Sequence, residues 1–268
     1  MNKKTIFLFI IILSIFALFA LSFALKKGGQ LCPLGQEFPG LAAQAQAAQQ
    51  KGNLKEAKSL YRRLISEFPN SSQIANWQKK IEEINIQLLF SPAITEESVI
   101  YEIKKGDTLE SIAKKYNTTA ELIMKSNGLR DDKIFPGEKL KVWTQPFSIV
   151  VDKSQNTLFL KSHEEIFKTY TVSTGINNST PVGNFKIINK LANPTWYKDN
   201  QVIPPEDPAN ILGTRWLGID LTSYGIHGTT DPQNLGKQVT EGCVRLSNAD
   251  VEELYAIVPV GTEVTIVD

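Results

Sequence analysis

The spacing of apolar residues changes twice along this chain, and the changes limit what each part can fold into. Residues 40–88 place apolar side chains every three or four positions, which predicts amphipathic helices. Residues 99–142 pass from an alternating run through two short helical patterns to a second alternating run, which predicts the order β-α-α-β. From Phe147 onward, alternation predicts strands, with one convincing helix after Ser247. We therefore expect a multidomain α+β protein.

An uncharged apolar run from Thr5 to Leu25 precedes these parts. Its 21 residues suffice to cross a hydrocarbon core of about 30 Å at about 1.5 Å per residue. A cleaved signal peptide usually has a shorter apolar region of about 7–15 residues. The length favours an uncleaved signal anchor over residues 1–27, followed by a tether over residues 28–39. Cleavage after Ser22-Phe23-Ala24 is the alternative and would yield a secreted protein.

Charge and cysteine content exclude several classes of function. The 29 basic and 28 acidic side chains give a net charge of +1, which does not suit a nucleic-acid-binding protein. The charge is uneven, because residues 1–146 carry a net +6 and residues 147–268 a net −5. Only two Cys and two His are present, without a Cys-x-x-Cys or His-x-x-x-His pair. We therefore expect no disulfide scaffold, no metal site and no cofactor.

The helical part, residues 40–90, divides at Gly52-Asn53 and at Phe68-Pro69-Asn70. Its small residues and turns resemble one tetratricopeptide-like hairpin with a capping helix. Arrays of this kind usually need about three repeats for stability. A helical spacer is therefore favoured, and a groove for a protein partner is the alternative. Residues 91–98 are predicted to be a linker.

Residues 99–143 carry a specific set of short motifs. Thr108 or Asp107 is expected to cap the first helix, and the pair Thr118-Thr119 the second. The motifs are Gly106-Asp107-Thr108-Leu109, Tyr116-Asn117, Asn127-Gly128-Leu129 and Ile134 to Leu140. With them, the segment closely resembles a LysM module. The resemblance implies binding to glycan that contains N-acetylglucosamine, such as peptidoglycan; a spacing role is the alternative.

The candidates for chemistry lie in the C-terminal part. Cys243 follows His227 by 16 residues, within the run Thr240-Glu241-Gly242-Cys243-Val244-Arg245. A nucleophilic thiol needs a base within reach and amides aimed at the developing oxyanion. His227 is the candidate base, because His163 lies in a polar stretch that is predicted to be a solvated turn. The amides of Gly242 and Cys243 are candidates for the oxyanion hole.

Further motifs accompany this pair. They are Thr174-Gly175, Thr180-Pro181-Val182-Gly183, Gly213-Thr214-Arg215-Trp216 and His227-Gly228-Thr229. Together they closely resemble the YkuD family of L,D-transpeptidases over residues 147–268, which implies a mainly β sandwich for that part. The resemblance also implies that the carbonyl of Gly228 orients His227. Glu241 departs from the family, in which many members have His at that position.

The family's mechanism, as the resemblance implies it, forms a thioester. The Cys243 thiolate attacks the third-residue carbonyl of a tetrapeptide stem, and the terminal D-alanine leaves. His227 accepts the thiol proton, and an amine of a neighbouring stem then resolves the thioester. The predicted substrate-binding residues are Arg245, Thr240, Trp216 and Tyr224.

Several roles stay open at this point. Arg245 can bind a substrate carboxylate or form a structural ion pair with Asp250. Trp216 suits the core or the rim as well as a cleft wall. The Pro-rich stretch 194–210 is either a lid over the cleft or an ordered surface loop.

The combined prediction is a membrane-anchored L,D-transpeptidase that faces the cell wall. Its expected partners are peptidoglycan glycan, stem peptides and the membrane. One rival is an L,D-carboxypeptidase that uses water as the acceptor, and another is a wall-binding scaffold with a disused active site. A papain-like endopeptidase is disfavoured, because such enzymes usually place Cys before His.

Overall fold

The computed structural model describes residues 37–268, which begin with three helices. These are α1 (Glu37–Gln50), α2 (Leu54–Glu67) and α3 (Ile74–Leu89). The predicted anchor, most of the predicted tether and Cys32 lie outside the described residues. Between residues 37 and 268, no helix combines the length and the apolar character that crossing a membrane requires.

The three helices pack by the apolar faces that the spacing predicts. Gly52 turns the chain between α1 and α2 with a φ of 77°, a conformation that glycine adopts without a steric cost. The shared core is built from Ala45, Ala57, Leu64, Trp77, Ile81 and Ile84.

The next part has the predicted β-α-α-β order. Its elements are β1 (Ser98–Glu102), α4 (Leu109–Tyr116), α5 (Ala120–Asn127) and β2 (Lys139–Trp143). The side chain of Thr108 caps α4 and that of Thr119 caps α5. The return strand begins at Lys139, later than Ile134, because the chain first turns at Gly137 with a φ of 91°.

The C-terminal part is a mainly β sandwich. Its long sheet contains β3 (Phe147–Asp152), β4 (Thr157–Ser162), β5 (Glu165–Thr171), β7 (Gly183–Ala192), β10 (Arg215–Ile219), β11 (Gly225–His227), β13 (Val244–Arg245) and β14 (Glu263–Val267). The strand order is β13-β11-β10-β7-β14-β3-β4-β5. Strand β7 joins the two halves, since residues 183–186 pair with β14 and residues 187–192 pair with β10.

Short elements complete this part. They are β6 (Thr174–Gly175), β8 (Trp196–Lys198), β9 (Gln201–Ile203), β12 (Gln238–Thr240) and the helix α6 (Asn248–Ile257). Helix α6 packs against α5. Ser247 caps α6 through a bond from the amide of Asp250. His163 lies exposed in the turn between β4 and β5, away from the cleft described below.

Helix α3 covers β5, which is the edge strand of the long sheet. The carboxylate of Glu82 accepts hydrogen bonds of 3.0 Å from both the amide and the hydroxyl of Thr169. The side-chain amide of Asn85 donates to the carbonyl of Phe167 at 3.0 Å. Unpaired backbone amides and carbonyls on an open edge strand can pair with another chain. Here side chains of α3 form hydrogen bonds with two of these backbone groups of β5.

The β-α-α-β part is fastened to both of its neighbours. The buried Nζ of Lys141, on β2, donates to the carbonyls of Leu88 (2.6 Å) and Ser91 (2.8 Å) at the end of α3. Desolvation lowers the pKa of Lys141 to about 8. Leu122 and Trp143 belong to the same hydrophobic core as the long sheet. The described residues therefore form three packed parts.

Candidate active site

A cleft of about 620 Å³ opens beside β10, β11 and β13. The six predicted side chains that line it are Cys243, His227, Arg245, Thr240, Trp216 and Tyr224. Gly228 and Gly242, the chain neighbours of His227 and Cys243, are not among the residues that line the cleft.

Strand pairing brings these distant residues together. In the parallel pair β11–β13, His227 lies opposite Arg245. In the antiparallel pair β10–β11, Trp216 lies opposite His227, and their rings stack with centroids 5.9 Å apart. Cys243 directly precedes β13 and lies beside the start of β11, while His227 ends β11, and both residues line the cleft.

His227 is held in a defined orientation. Its Nδ1 lies 2.7 Å from the carbonyl oxygen of Gly228, the group that the sequence predicts to orient it. A carbonyl can only accept, so Nδ1 carries the proton and Nε2 is left as the base. The ring is 3% exposed, so water does not compete for it.

Burial decides the charge of His227. Desolvation lowers the pKa of its imidazole to about 4, and the positive charge of Arg245 acts in the same direction. The carbonyls of Gly228 and Leu212 oppose this shift without cancelling it. His227 is therefore neutral near pH 7 and able to accept a proton.

The uncharged thiol is also the favoured form of Cys243, which is half-buried in the cleft. Burial raises its pKa, a hydrogen bond from the backbone of Gly225 lowers it, Glu241 raises it and Arg245 lowers it, in decreasing order of effect. Sγ also contacts the carbonyl oxygen of Ser223 at 3.6 Å. The resting pair is thus thiol and imidazole, which requires removal of the proton during attack.

The loop before Cys243 is fixed by its own side chains. The hydroxyl of Thr240 donates to the carbonyl of Cys243 at 2.6 Å and accepts from the amide of Gly242 at 3.2 Å. Thr240 therefore holds the loop, in addition to lining the cleft. Gly242 has a φ of 137°, and a Cβ there would lie 2.7 Å from the ring of Tyr224, so a larger residue would displace the loop.

One residue that supports the site escaped sequence reasoning. Oδ1 of Asn248, at the start of α6, accepts from the amides of Thr214 (3.2 Å) and Thr229 (3.0 Å). A Cβ on Gly228 would lie 2.2 Å from the same oxygen. Asn248 thus fixes the loop whose carbonyl orients His227. In the sequence it reads only as part of a helix start.

The Pro-rich stretch 194–210 contains a hairpin beside the cleft. Strands β8 and β9 pair, and Trp196, Tyr197 and Lys198 line the cleft. Nζ of Lys198 lies 2.5 Å from Oε1 of Glu241. The ion pair ties the hairpin to the loop that carries Cys243, at the position where the sequence departs from the family.

Comparison with known proteins identifies the families of two parts of the chain. The family described as the L,D-transpeptidase catalytic domain, YkuD, matches residues 146–266, and the LysM domain family matches residues 101–143. YkuD of Bacillus licheniformis, which carries an L,D-transpeptidase name, is 36% identical over 176 residues, covering 63% of this chain and 98% of that protein. The chain belongs to the YkuD family of L,D-transpeptidases.

Other matches also have L,D-transpeptidase names. YkuD of Bacillus subtilis is 35% identical over 173 residues, covering 62% of this chain and 97% of its own length. A solved L,D-transpeptidase from Mycobacterium smegmatis is 21% identical and covers 49% of this chain and 64% of its own, with a TM-score of 0.40. By the two family matches, this YkuD-family enzyme combines an L,D-transpeptidase catalytic domain with a LysM domain.

Proposed function

We propose that this YkuD-family chain cross-links peptidoglycan stem peptides, with Cys243 as the nucleophile and His227 as the general base. The contact of 2.7 Å between Nδ1 of His227 and the carbonyl of Gly228 carries the proposal. It leaves Nε2 unprotonated in the cleft that also contains Cys243. A backbone carbonyl does for this imidazole what a carboxylate does in other triads, so no acidic third residue is needed.

The first half-reaction forms a thioester. Nε2 of His227 takes the thiol proton of Cys243 while Sγ bonds to the carbonyl carbon of the third stem residue. Backbone amides at Gly242 and Cys243 stabilise the oxyanion; Gly242 exchanges its long bond to Thr240 for this stronger acceptor. The C–N bond then breaks, and the leaving D-alanine amine takes the proton back from His227.

The second half-reaction transfers the acyl group. The amine of a neighbouring stem attacks the thioester carbon and gives a proton to His227. The C–S bond breaks, a new amide bond forms, and the Cys243 thiolate regains its proton. Trp216 and Tyr224 line the cleft at this point and are the proposed walls for the stem.

The remaining parts bring the catalytic domain to its polymer. We propose that residues 99–143 bind glycan and residues 147–268 carry the catalytic site, with residues 40–90 as a helical spacer. The apolar run within residues 1–27 would anchor the chain to the membrane and leave both domains outside the cytoplasm. Membrane fractionation and the N-terminal sequence of the mature protein test the anchor.

Mass spectrometry of products from defined muropeptides tests the function. The full chain, incubated with tetrapeptide-bearing muropeptides, is expected to release D-alanine and to give dimers linked through third residues. Cys243→Ala is expected to do neither, while Cys32→Ala, the matched control, retains activity. Equal activity of the Cys243→Ala variant would refute the assignment of the nucleophile.

The same experiment separates the rival functions. Trimmed monomer in excess over dimer identifies an L,D-carboxypeptidase. Absence of product, together with failure of Cys243 to react with a thiol-reactive β-lactam, identifies a non-catalytic scaffold.

A further inference from the structure

Arg245 is a largely buried cation that lines the cleft. The residue is 9% exposed, and its buried Nε has no hydrogen-bond partner in the part of the chain that the structure describes. Within residues 37–268 its guanidinium takes part in no ion pair. Isolating a charge from water is costly unless a partner compensates it, so this arrangement needs a reason.

The other buried cations in the described part of the chain are compensated. Nζ of Lys141 donates to the carbonyls of Leu88 and Ser91. Nζ of Lys153 donates to the carbonyl of Thr180 at 2.9 Å and lies 2.9 Å from a carboxylate oxygen of Asp268. Arg245 is the exception, and it is the one of the three that lines the cleft.

The structural explanation for Arg245 fails. Asp250, its candidate partner, instead accepts a hydrogen bond of 2.6 Å from the hydroxyl of Ser247 at the start of α6. No ion pair joins Arg245 to Asp250 among the described side chains. A molecule bound in the cleft is therefore the candidate partner of this guanidinium.

The backbone of Arg245 is fixed beside His227. Both backbone groups of Arg245 bond to Ser173, at 2.9 and 2.8 Å. Arg245 lies opposite His227 in the strand pairing and two residues after Cys243. Its charge lowers the pKa of both His227 and Cys243, which places it within electrostatic range of the reacting groups.

We propose that Arg245 binds the terminal carboxylate of the leaving residue and so selects donors that end one residue after the bond that breaks. The inference rests on the proposed function and names its specificity-determining residue. In the leaving D-alanine, one carbon separates the carboxylate from the nitrogen that His227 must protonate. A guanidinium beside His227 is therefore placed to take that carboxylate in a two-pronged hydrogen bond.

A longer donor places a different group at this point. A pentapeptide stem presents a neutral amide where the tetrapeptide presents its carboxylate. The amide carbonyl would compensate the buried charge poorly, so the longer stem binds less well. The site thus discriminates against the pentapeptide, because that substrate leaves the guanidinium of Arg245 without a charged partner.

Two matched donors test the proposal on the full chain. One is a tetrapeptide stem with a free terminal carboxylate, and the other is the same stem with a terminal carboxamide. Release of the fourth residue gives kcat/KM for wild type, Arg245→Met and Arg245→Lys. The carboxamide makes the leaving amine less basic and therefore a better leaving group. Without recognition of the carboxylate, the carboxamide donor should thus react faster.

Wild type is expected to prefer the carboxylate donor by roughly 10- to 100-fold. Arg245→Met should lose that preference and treat both donors as wild type treats the carboxamide, and Arg245→Lys should retain part of it. The Met variant removes an unpaired buried charge, so its melting temperature is not expected to fall.

Two results would overturn the inference. Equal kcat/KM of wild type for the two donors would show that the enzyme does not recognise the terminal carboxylate, whatever the variants do. An equal loss on both donors in Arg245→Met shows that Arg245 acts on Cys243 or His227 instead. Failure of wild type to cleave either donor is distinct, because it refutes the proposed function and this inference with it.

Discussion

At the scale of single residues, the cleft keeps His227 and Cys243 uncharged. Burial is the largest influence on both, lowering the pKa of the imidazole and raising that of the thiol. A preformed thiolate–imidazolium pair is therefore disfavoured in the resting enzyme. As a consequence, His227 stays unprotonated in mildly acidic solution, down to about pH 4.

The pH dependence of kcat/KM should reflect this. A base works only when unprotonated, so a pKa near 4 for His227 moves the acid limb of the profile from about pH 6.5 to about pH 4. D-alanine release measured from pH 3.5 to pH 8 checks the prediction. An acid limb close to pH 6.5 would mean that water reaches His227 in the working enzyme.

Stability should depend on pH through the same group. The unfolded chain binds a proton at His227 below about pH 6.5, whereas the folded chain does so only near pH 4. The contribution of His227 to the free energy of unfolding is therefore fully present above about pH 6.5. It is lost as the pH falls toward 4, which lowers the free energy of unfolding by about 3 kcal/mol. Urea denaturation of wild type and His227→Gln at pH 7.5 and pH 4 isolates this contribution. Between these two pH values, the free energy of unfolding should fall by about 3 kcal/mol less in the variant than in wild type.

At the scale of elements, the start of α6 holds the loop beside His227, the proposed base. Asn248→Ala removes the acceptor for the amides of Thr214 and Thr229, so the carbonyl of Gly228 should lose its fixed position. We expect kcat to fall by roughly tenfold with a smaller change in KM and a shifted acid limb. Asn248→Asp keeps an acceptor oxygen and should restore most of the activity. If the Asp and Ala variants are equally impaired, this hydrogen bonding is not the cause.

The hairpin β8–β9 and the Cys243 loop meet at the pair Lys198–Glu241. The pair is exposed, 34% at Lys198 and 81% at Glu241, so we expect it to contribute at most about 1 kcal/mol to closure of the hairpin. Its second effect is on chemistry, because Glu241 raises the pKa of Cys243.

Glu241→Gln should therefore make Cys243 more reactive. Alkylation by iodoacetamide in a Cys32→Ala background, followed against pH, should give a lower apparent pKa for Cys243 than in the parent. Glu164→Gln, at a side chain that is 99% exposed outside the cleft, is the control and should leave the curve unchanged. An unchanged curve in Glu241→Gln would exclude the electrostatic influence of that carboxylate.

At the scale of the whole molecule, the LysM domain is built into the catalytic core. Leu122 on α5 is fully buried in the cluster that contains the sheet residues Ile149 and Leu158. The hydroxyl of Thr119 also donates to the carbonyl of Ala256 at the end of α6. The LysM domain and the cleft are thus expected to keep a constant spacing.

A LysM substitution should therefore destabilise the catalytic domain. Leu122→Ala is expected to lower the free energy of unfolding by about 2–5 kcal/mol in one transition, measured by tryptophan fluorescence and by exposure of Cys243. Ile100→Ala, at a residue that is 59% exposed on the same domain, should change it by less than about 0.5 kcal/mol. Two separate transitions with an unchanged catalytic one would contradict this coupling.

The sequence by itself determined the local elements and the candidate residues. Apolar spacing predicts α1 to α3 and the strands from Phe147, because side-chain periodicity reports which face is buried. The β-α-α-β part and the pair His227 and Cys243 follow from motifs a few residues long. Thr108 and Thr119 were readable as caps, because a cap is a contact within one turn.

Only the tertiary structure decided how these pieces act on one another. The neutrality of His227, the role of Asn248 and the unpaired charge of Arg245 depend on burial by segments far apart in the chain. The sequence left Arg245 between Asp250 and a substrate, and strand pairing beside an occupied Ser247–Asp250 cap removed the first option. Desolvation and long-range contacts are properties of the packed molecule, and no local pattern contains them.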